Sequence, residues 1–214
     1  MRKFLTLTLL ILSGLAYGQT FEGSVTYSIE YISMPDEMAG YINMFPRSTT
    51  LYVKGKKNRM VQVTENVGTQ IMIVDEQARI GYMAIDQMNS KVYAKVPSFV
   101  LNEYLKPTVL DIDYTNEKSE IAGYNCKEAL IQHGEGVERT QVWYATSLPV
   151  ADYKDFKMLR GFPVAYWVKE GPVSIKYEAT QIDQSKQSDS LFEIPEGYQE
   201  ITWEEMVATG FSTF

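Results

Sequence analysis

The chain has 214 residues, with 20 Lys+Arg against 27 Asp+Glu and a formal net charge of −7. That length suits one domain or two small ones, and the acidic balance removes the electrostatic case for a nucleic-acid partner. Hydrophobic residues make up 45% and charged residues 22%, a globular rather than a disordered composition. One cysteine and one histidine exclude an intrachain disulfide and most zinc and haem arrangements.

Residues 1–18 read as a secretory signal peptide. Arg2 and Lys3 supply the positive start, Phe4 to Leu15 the apolar stretch, and Ala16 and Gly18 the small residues of a cleavage site before Gln19. An apolar core of about 12 residues is too short to span a bilayer, which takes roughly 20. No comparable run follows, so no transmembrane segment is expected in the mature chain, 19–214. Cleavage removes Arg2 and Lys3 and leaves the product more acidic. No cysteine follows the leader to accept a lipid anchor. The expected address is the periplasm, with outer-membrane association or extracellular release as alternatives. An exported chain without disulfides must rely on its hydrophobic core. Cys126 then reads most simply as a small buried hydrophobe in a strand.

Strand patterns dominate the rest. Val25, Tyr27, Ile29 and Tyr31 alternate with Ser24, Thr26, Ser28 and Glu30, the period of two of a half-buried strand. Leu51 and Val53 continue the pattern, and Gly55-Lys56-Lys57-Asn58 turns the chain into 59–65. Segments 69–74 and 79–85 flank Asp75-Glu76-Gln77-Ala78, and 91–96 follows another polar turn. Leu110, Ile112 and Tyr114 alternate with Asp111, Asp113 and Thr115. Four further strands are expected over 126–132, 138–145, 163–169 and 173–182, separated by Gly134-Glu135-Gly136 and Glu170-Gly171-Pro172. The reading is a mainly β chain, a single antiparallel domain of about eleven strands without βαβ units.

Helical signals are few. Met38, Tyr41, Ile42 and Phe45 sit at i, i+3, i+4 and i+7 ahead of Pro46. Segments 99–105, 152–159 and 203–207 suit one or two turns each. Ile71–Val74 and Ile80–Ile85 are apolar on both faces, which in an antiparallel sheet means that something covers both sides. The amphipathic segment 36–45 is the expected lid, with Met38, Met44, Tyr41 and Phe45 as a soft inner face.

The ordered set Phe21–Tyr27, Tyr52–Arg59, Ile121–Lys127, Val142–Pro149, Arg160–Pro163 and Phe192–Tyr198 resembles an exported bacterial family known as domain of unknown function number 4412. That family is similar in fold to the lipoprotein carriers LolA and LolB. The resemblance implies one curved antiparallel sheet forming an unclosed barrel, with an apolar concave face under a helical lid. It carries over no catalytic or ligand-binding residue.

Enzyme chemistry finds little purchase. Cys126 and His133 are seven apart, an odd spacing that puts them on opposite faces of a continuous strand. Asp111 and Asp113 share a face about 6.6 Å apart and could serve hydrolysis or calcium, but a solvated outer face explains them without chemistry. Trp143 and Trp167 could stack on a sugar, although sheet packing accounts for them more simply. No phosphate loop, dinucleotide turn, nucleophile elbow or zinc-protease motif is present. No catalytic residue, metal or cofactor is therefore assigned.

The expected function is non-enzymatic: binding of a hydrophobic ligand, such as a lipid or the acyl chain of a lipoprotein, in the concave face. The expected lining is Met38, Tyr41, Ile42 and Phe45 on the lid with Met72, Tyr82 and Met83 on the sheet. The alternative is an envelope interaction module with a self-filled core and a partner protein.

Overall fold

In the computed structural model the described residues are 20–65, 67–87, 90–109, 111–135 and 138–210. The leader over 1–18, Leu110 and Gly136 lie outside them.

Twelve strands form one open, curved sheet. The first meander comprises β1 (Gly23–Ser33), β2 (Ser48–Lys54), β3 (Lys57–Thr64), β4 (Gly68–Asp75), β5 (Ile80–Gln87) and β6 (Ser90–Lys95). The second comprises β7 (Asp111–Ile121), β8 (Tyr124–Gln132), β9 (Thr140–Ala145), β10 (Phe162–Glu170) and β11 (Val173–Asp183). β1 and β11 pair in the middle and join the two meanders. β12 (Gln199–Glu200) adds to the outside of β6, leaving β7 at the other edge. Every pairing is antiparallel except β12 with β6. The sheet thus has one strand more than the sequence reading gave, because a two-residue strand carries no periodicity.

Three short helices accompany the sheet: α1 (Asp36–Ala39), α2 (Ser98–Tyr104) and α3 (Trp203–Ala208). The expected helix over 36–45 breaks into α1 and a 3-10 turn, Ile42–Met44. α1 has only four residues before its C-cap Gly40, too few for a cooperative helix, and Pro46 follows the 3-10 turn.

Alternation assigns the faces. Val25, Tyr27 and Ile29 of β1 are buried while Ser24, Thr26 and Ser28 between them are only half-buried. Registers carry this inner face outward to Leu51 and Val53, then through Met60 to Met72, Met83 and Ala94. Both faces of β4 and β5 are buried, as their sequence requires. On the inner face they are covered by α2 and α3. On the outer face Leu191, Phe192, Ile194 and Tyr198 lie over Ile71, Ile73 and Ala84. The C-terminal segment therefore grips one sheet edge from both sides. The segment 36–45 covers neither side of β4 and β5; it packs at the far end of β1 and β11.

Candidate functional site

The inner face is the candidate site, and it has two compartments. The first lies over β4–β6. Leu101 of α2 packs with Met72, Val74 and Val96, and Met206 of α3 packs with Met83, Ile85 and Ala94. Both helical residues are essentially inaccessible, at 1% and 0% exposure. Gly81 makes room for α2, since a Cβ there would stand 3.2 Å from Leu101 Cδ1 and from Val96 Cβ. Arg79, held at φ 54° at the β4–β5 turn, donates to Asn102 Oδ1 and ties the turn to the helix. α3 begins in a capping box: Glu205 N–H donates to Thr202 Oγ1 at 3.1 Å and Thr202 N–H donates to Glu205 Oε2 at 2.8 Å. Met60, Met72, Met83 and Met206 make much of this layer sulfur-bearing and adaptable.

The second compartment lies over β1 and β8–β11 and is aromatic. The loop 146–161 folds inward, bringing Leu148, Ala151, Tyr153 and Leu159 into the core. Tyr166 stands edge-on to Tyr27 at 5.5 Å and is stacked on Tyr177 at 4.9 Å; Phe156 packs on it at 4.8 Å. Phe21 and Phe162 meet at 4.1 Å. Tyr27 Oη donates to Pro163 O at 2.9 Å, which satisfies a phenol in an otherwise apolar layer. Burial pushes Tyr27, Tyr153, Tyr166 and Tyr177 well above the ordinary tyrosine range. Tyr31 rises to about 12 by burial, with Arg47 opposing and Glu170 adding.

The seven residues expected to line a ligand site are dispersed. Met72 and Met83 are neighbours on the inner face, beneath the two helices. Tyr82 lies on the outer face, in the cluster closed by Phe192, because adjacent strand residues point to opposite sides. Met38 packs with Ile29, Val173 and Ile175, and Phe45 leans on Tyr31 at 5.5 Å. Ile42 is half-buried, and Tyr41 is 62% exposed. The lid and sheet residues do not face one another. The inner-face residues that sequence reasoning missed are Leu101, Tyr153, Tyr166 and Met206. The Thr202-x-x-Glu205 spacing was a legible signal for α3; nothing local announces that the loop 146–161 turns inward.

The rejected chemistry is accounted for by contacts. Cys126 is buried and its Sγ–H donates to Tyr124 O at 3.3 Å; burial raises its thiol pKa. His133 bridges Thr108 Oγ1 and Thr140 Oγ1, each at 3.0 Å. Arg139 sits between Asp111 and Asp113, at 3.0 and 2.7 Å from their carboxylates, so that pair is charge-compensated. Among the described residues no group of three or more His, Cys, Asp or Glu could hold a metal ion, and no helix is long and apolar enough to cross a membrane. Two recesses, of about 430 Å³ beside Lys118 and Lys127 and about 520 Å³ beside Glu200 and Glu205, are open surface features with mixed polar and apolar linings.

No protein-family model matches the chain, and no curated protein does. Among solved structures it is similar to PNGF-II, at 14% identity and a TM-score of 0.47 over 89% of this chain and 33% of that one. It is also similar to MucB from a complex with MucA(peri), at 10% identity and TM-score 0.44 over 82% of this chain and 55% of that one. A third is the Mycobacterium tuberculosis lipoprotein LppX, at 11% identity and TM-score 0.41 over 78% and 90% of the two chains. The chain thus spans about a third of PNGF-II and about half of MucB.

Proposed function

We propose that the mature chain is an exported, non-enzymatic interaction module of the cell envelope, whose inner sheet face is a structural core rather than a standing ligand cavity. The observation that carries this reading is the filling of that face. Tyr27, Phe162 and Met206 have no exposed surface and Leu101 has 1%, so the protein's own side chains occupy the space a carrier would keep for its cargo. A partner protein would be engaged through the surface, where Tyr41, Met44, Phe99 and Met158 each leave more than half of their area exposed.

The methionine layer beneath α2 and α3 supports a second reading. Helices of seven and six residues are held chiefly by packing, and a displaced pair would open an adaptable apolar patch to an acyl chain. Native mass spectrometry of mature protein purified from a bacterial periplasm, with lipid extraction, separates the two. The interaction reading predicts the bare polypeptide mass and no co-purifying acyl species. A stoichiometric acyl-bearing species would replace it with the carrier reading.

A further inference from the structure

The hairpin of β7 and β8 carries a charge arrangement that packing does not explain. Its two-residue turn, Ala122-Gly123, is held at φ 51° and 79°, the left-handed pair that fixes the register of a tight hairpin. That register sets Lys118 directly opposite Lys127. Side chains so placed share a face with Cβ atoms about 4.5–5.5 Å apart, where like charges repel.

Neither lysine is compensated. Among the described residues neither has a side-chain hydrogen bond or an ion pair. Glu120 shares their face, opposite Asn125, yet it pairs with neither. At the other end of β7 the same problem is solved, since Arg139 stands between Asp111 and Asp113. Arg160 lies over the Tyr114 ring at 4.1 Å from its centroid, a third cation without a carboxylate partner among the described residues. Unpaired cations are thus gathered on one hairpin of a chain whose formal net charge is −7.

The two lysines open onto the recess of about 430 Å³ that Ser119, Asn125, Cys126 and Thr146 also line. Cys126 Sγ–H is spent on Tyr124 O. The Ser119 and Thr146 hydroxyls and the Asn125 carboxamide have no side-chain partner among the described residues. The lining therefore offers two ammonium groups, two hydroxyls and an amide, all free to donate.

We propose that this recess binds a phosphate group, either free or carried on a lipid headgroup. An oxyanion between the two ammonium groups turns their repulsion into two attractions, and such charge-assisted hydrogen bonds are roughly twice as strong as neutral ones. The tetrahedral oxygens of a phosphate also reach the neutral donors, whereas a planar carboxylate presents only two oxygens. An uncharged ligand would leave the lysines opposed. The site uses exposed side chains of the hairpin and none of the inner-face side chains that carry the reading above, so it stands or falls independently of that reading.

The test is a backbone-amide NMR titration of mature protein with inorganic phosphate, run beside chloride at matched ionic strength. Flotation on vesicles of phosphatidylglycerol or phosphatidylcholine is the second arm. Saturable movement of amides 118, 119, 125, 127 and 146 is expected with phosphate and not with chloride. Affinity should fall about tenfold or more in Lys118→Gln/Lys127→Gln and rise in Glu120→Gln, which removes a competing carboxylate. Lys169→Gln/Lys186→Gln, the same loss of charge elsewhere, should leave it unchanged. Flotation on phosphatidylglycerol alone, lost in Lys118→Gln/Lys127→Gln, would assign the phosphate to a lipid headgroup; phosphate shifts without flotation would assign it to a free ion. The absence of both, equal movement by chloride, or equal binding by Lys118→Gln/Lys127→Gln would each overturn the proposal. Both lysines are exposed, so the double variant is expected to fold, which its circular dichroism checks.

Discussion

The two halves of the sheet solve the burial problem differently. Over β3–β5 both faces are closed, one by α2 and α3 and the other by the segment around Phe192. Over β8–β10 the C-terminal segment takes no part: the cover is the loop 146–161 with its aromatic side chains, and Trp143 packs against the same buried cluster. Strand composition shows where cover is needed: β4, β5 and β10 each carry runs of three or more buried residues. β7 buries none of its described side chains fully, and β8 keeps Lys127 exposed between Cys126 and Glu128. The buried runs lie under the covering segments, and β7 is left as the sparsely buried edge strand.

The largest expected effect breaks the aromatic half selectively. Its buried tyrosines are protonated in the fold and carry raised pKa values, against an ordinary value of 10.0. The stability linked to keeping them protonated is fully present below the unfolded pKa and is lost as pH rises through the folded values. For Tyr31 that window runs from about 10 to about 12. Alkaline titration followed by tyrosinate absorbance and circular dichroism should show ionisation coupled to unfolding; smooth titration of every tyrosine in an intact fold would contradict the assignment.

Phe162→Ala, at a residue with no exposed surface between Phe21 and Tyr153, should cost about 3–5 kcal/mol by urea unfolding. Leu101→Ala, which removes the contact of α2 with β5, should cost about 2–5 kcal/mol. The two together report whether the halves unfold in one transition or two. Thr202→Ala removes the hydroxyl that caps α3 and should cost about 1 kcal/mol. Its amide hydrogen exchange should rise in α3 before it rises in β5. Trp167→Ala should stay within roughly 0.5 kcal/mol of the parent, as a substitution outside any core cluster; a larger loss would make that ring structural.

Much of the architecture was legible. The alternation of β1 and the two-sided apolar runs of β4 and β5 follow from side-chain periodicity, and the demand for cover on both sides of those runs was met. The identity of the cover was not legible in the same way. Segment 36–45 has the stronger helical pattern, yet it caps the end of β1 and β11, because its place follows from the short connection between β1 and β2. The segments that cover β4 and β5 reach them from beyond β6 and from the C-terminus, through pairings that no local pattern encodes. The dispersal of the expected lining residues has the same origin. Met72 and Met83 share a face through strand register, whereas Tyr82 beside Met83 cannot.

The central claim is that the inner face is occupied by the protein itself. Methyl NMR of the methionines, during titration of mature protein with a lysophospholipid below its micelle threshold, tests that most directly. Met72, Met83 and Met206, exposed at 6%, 1% and 0%, should keep their shifts at every lipid concentration, whatever happens at the exposed Met44 and Met158. Saturable movement of the three buried signals would show that α2 and α3 yield to an acyl chain, and that the inner face is a carrier's site.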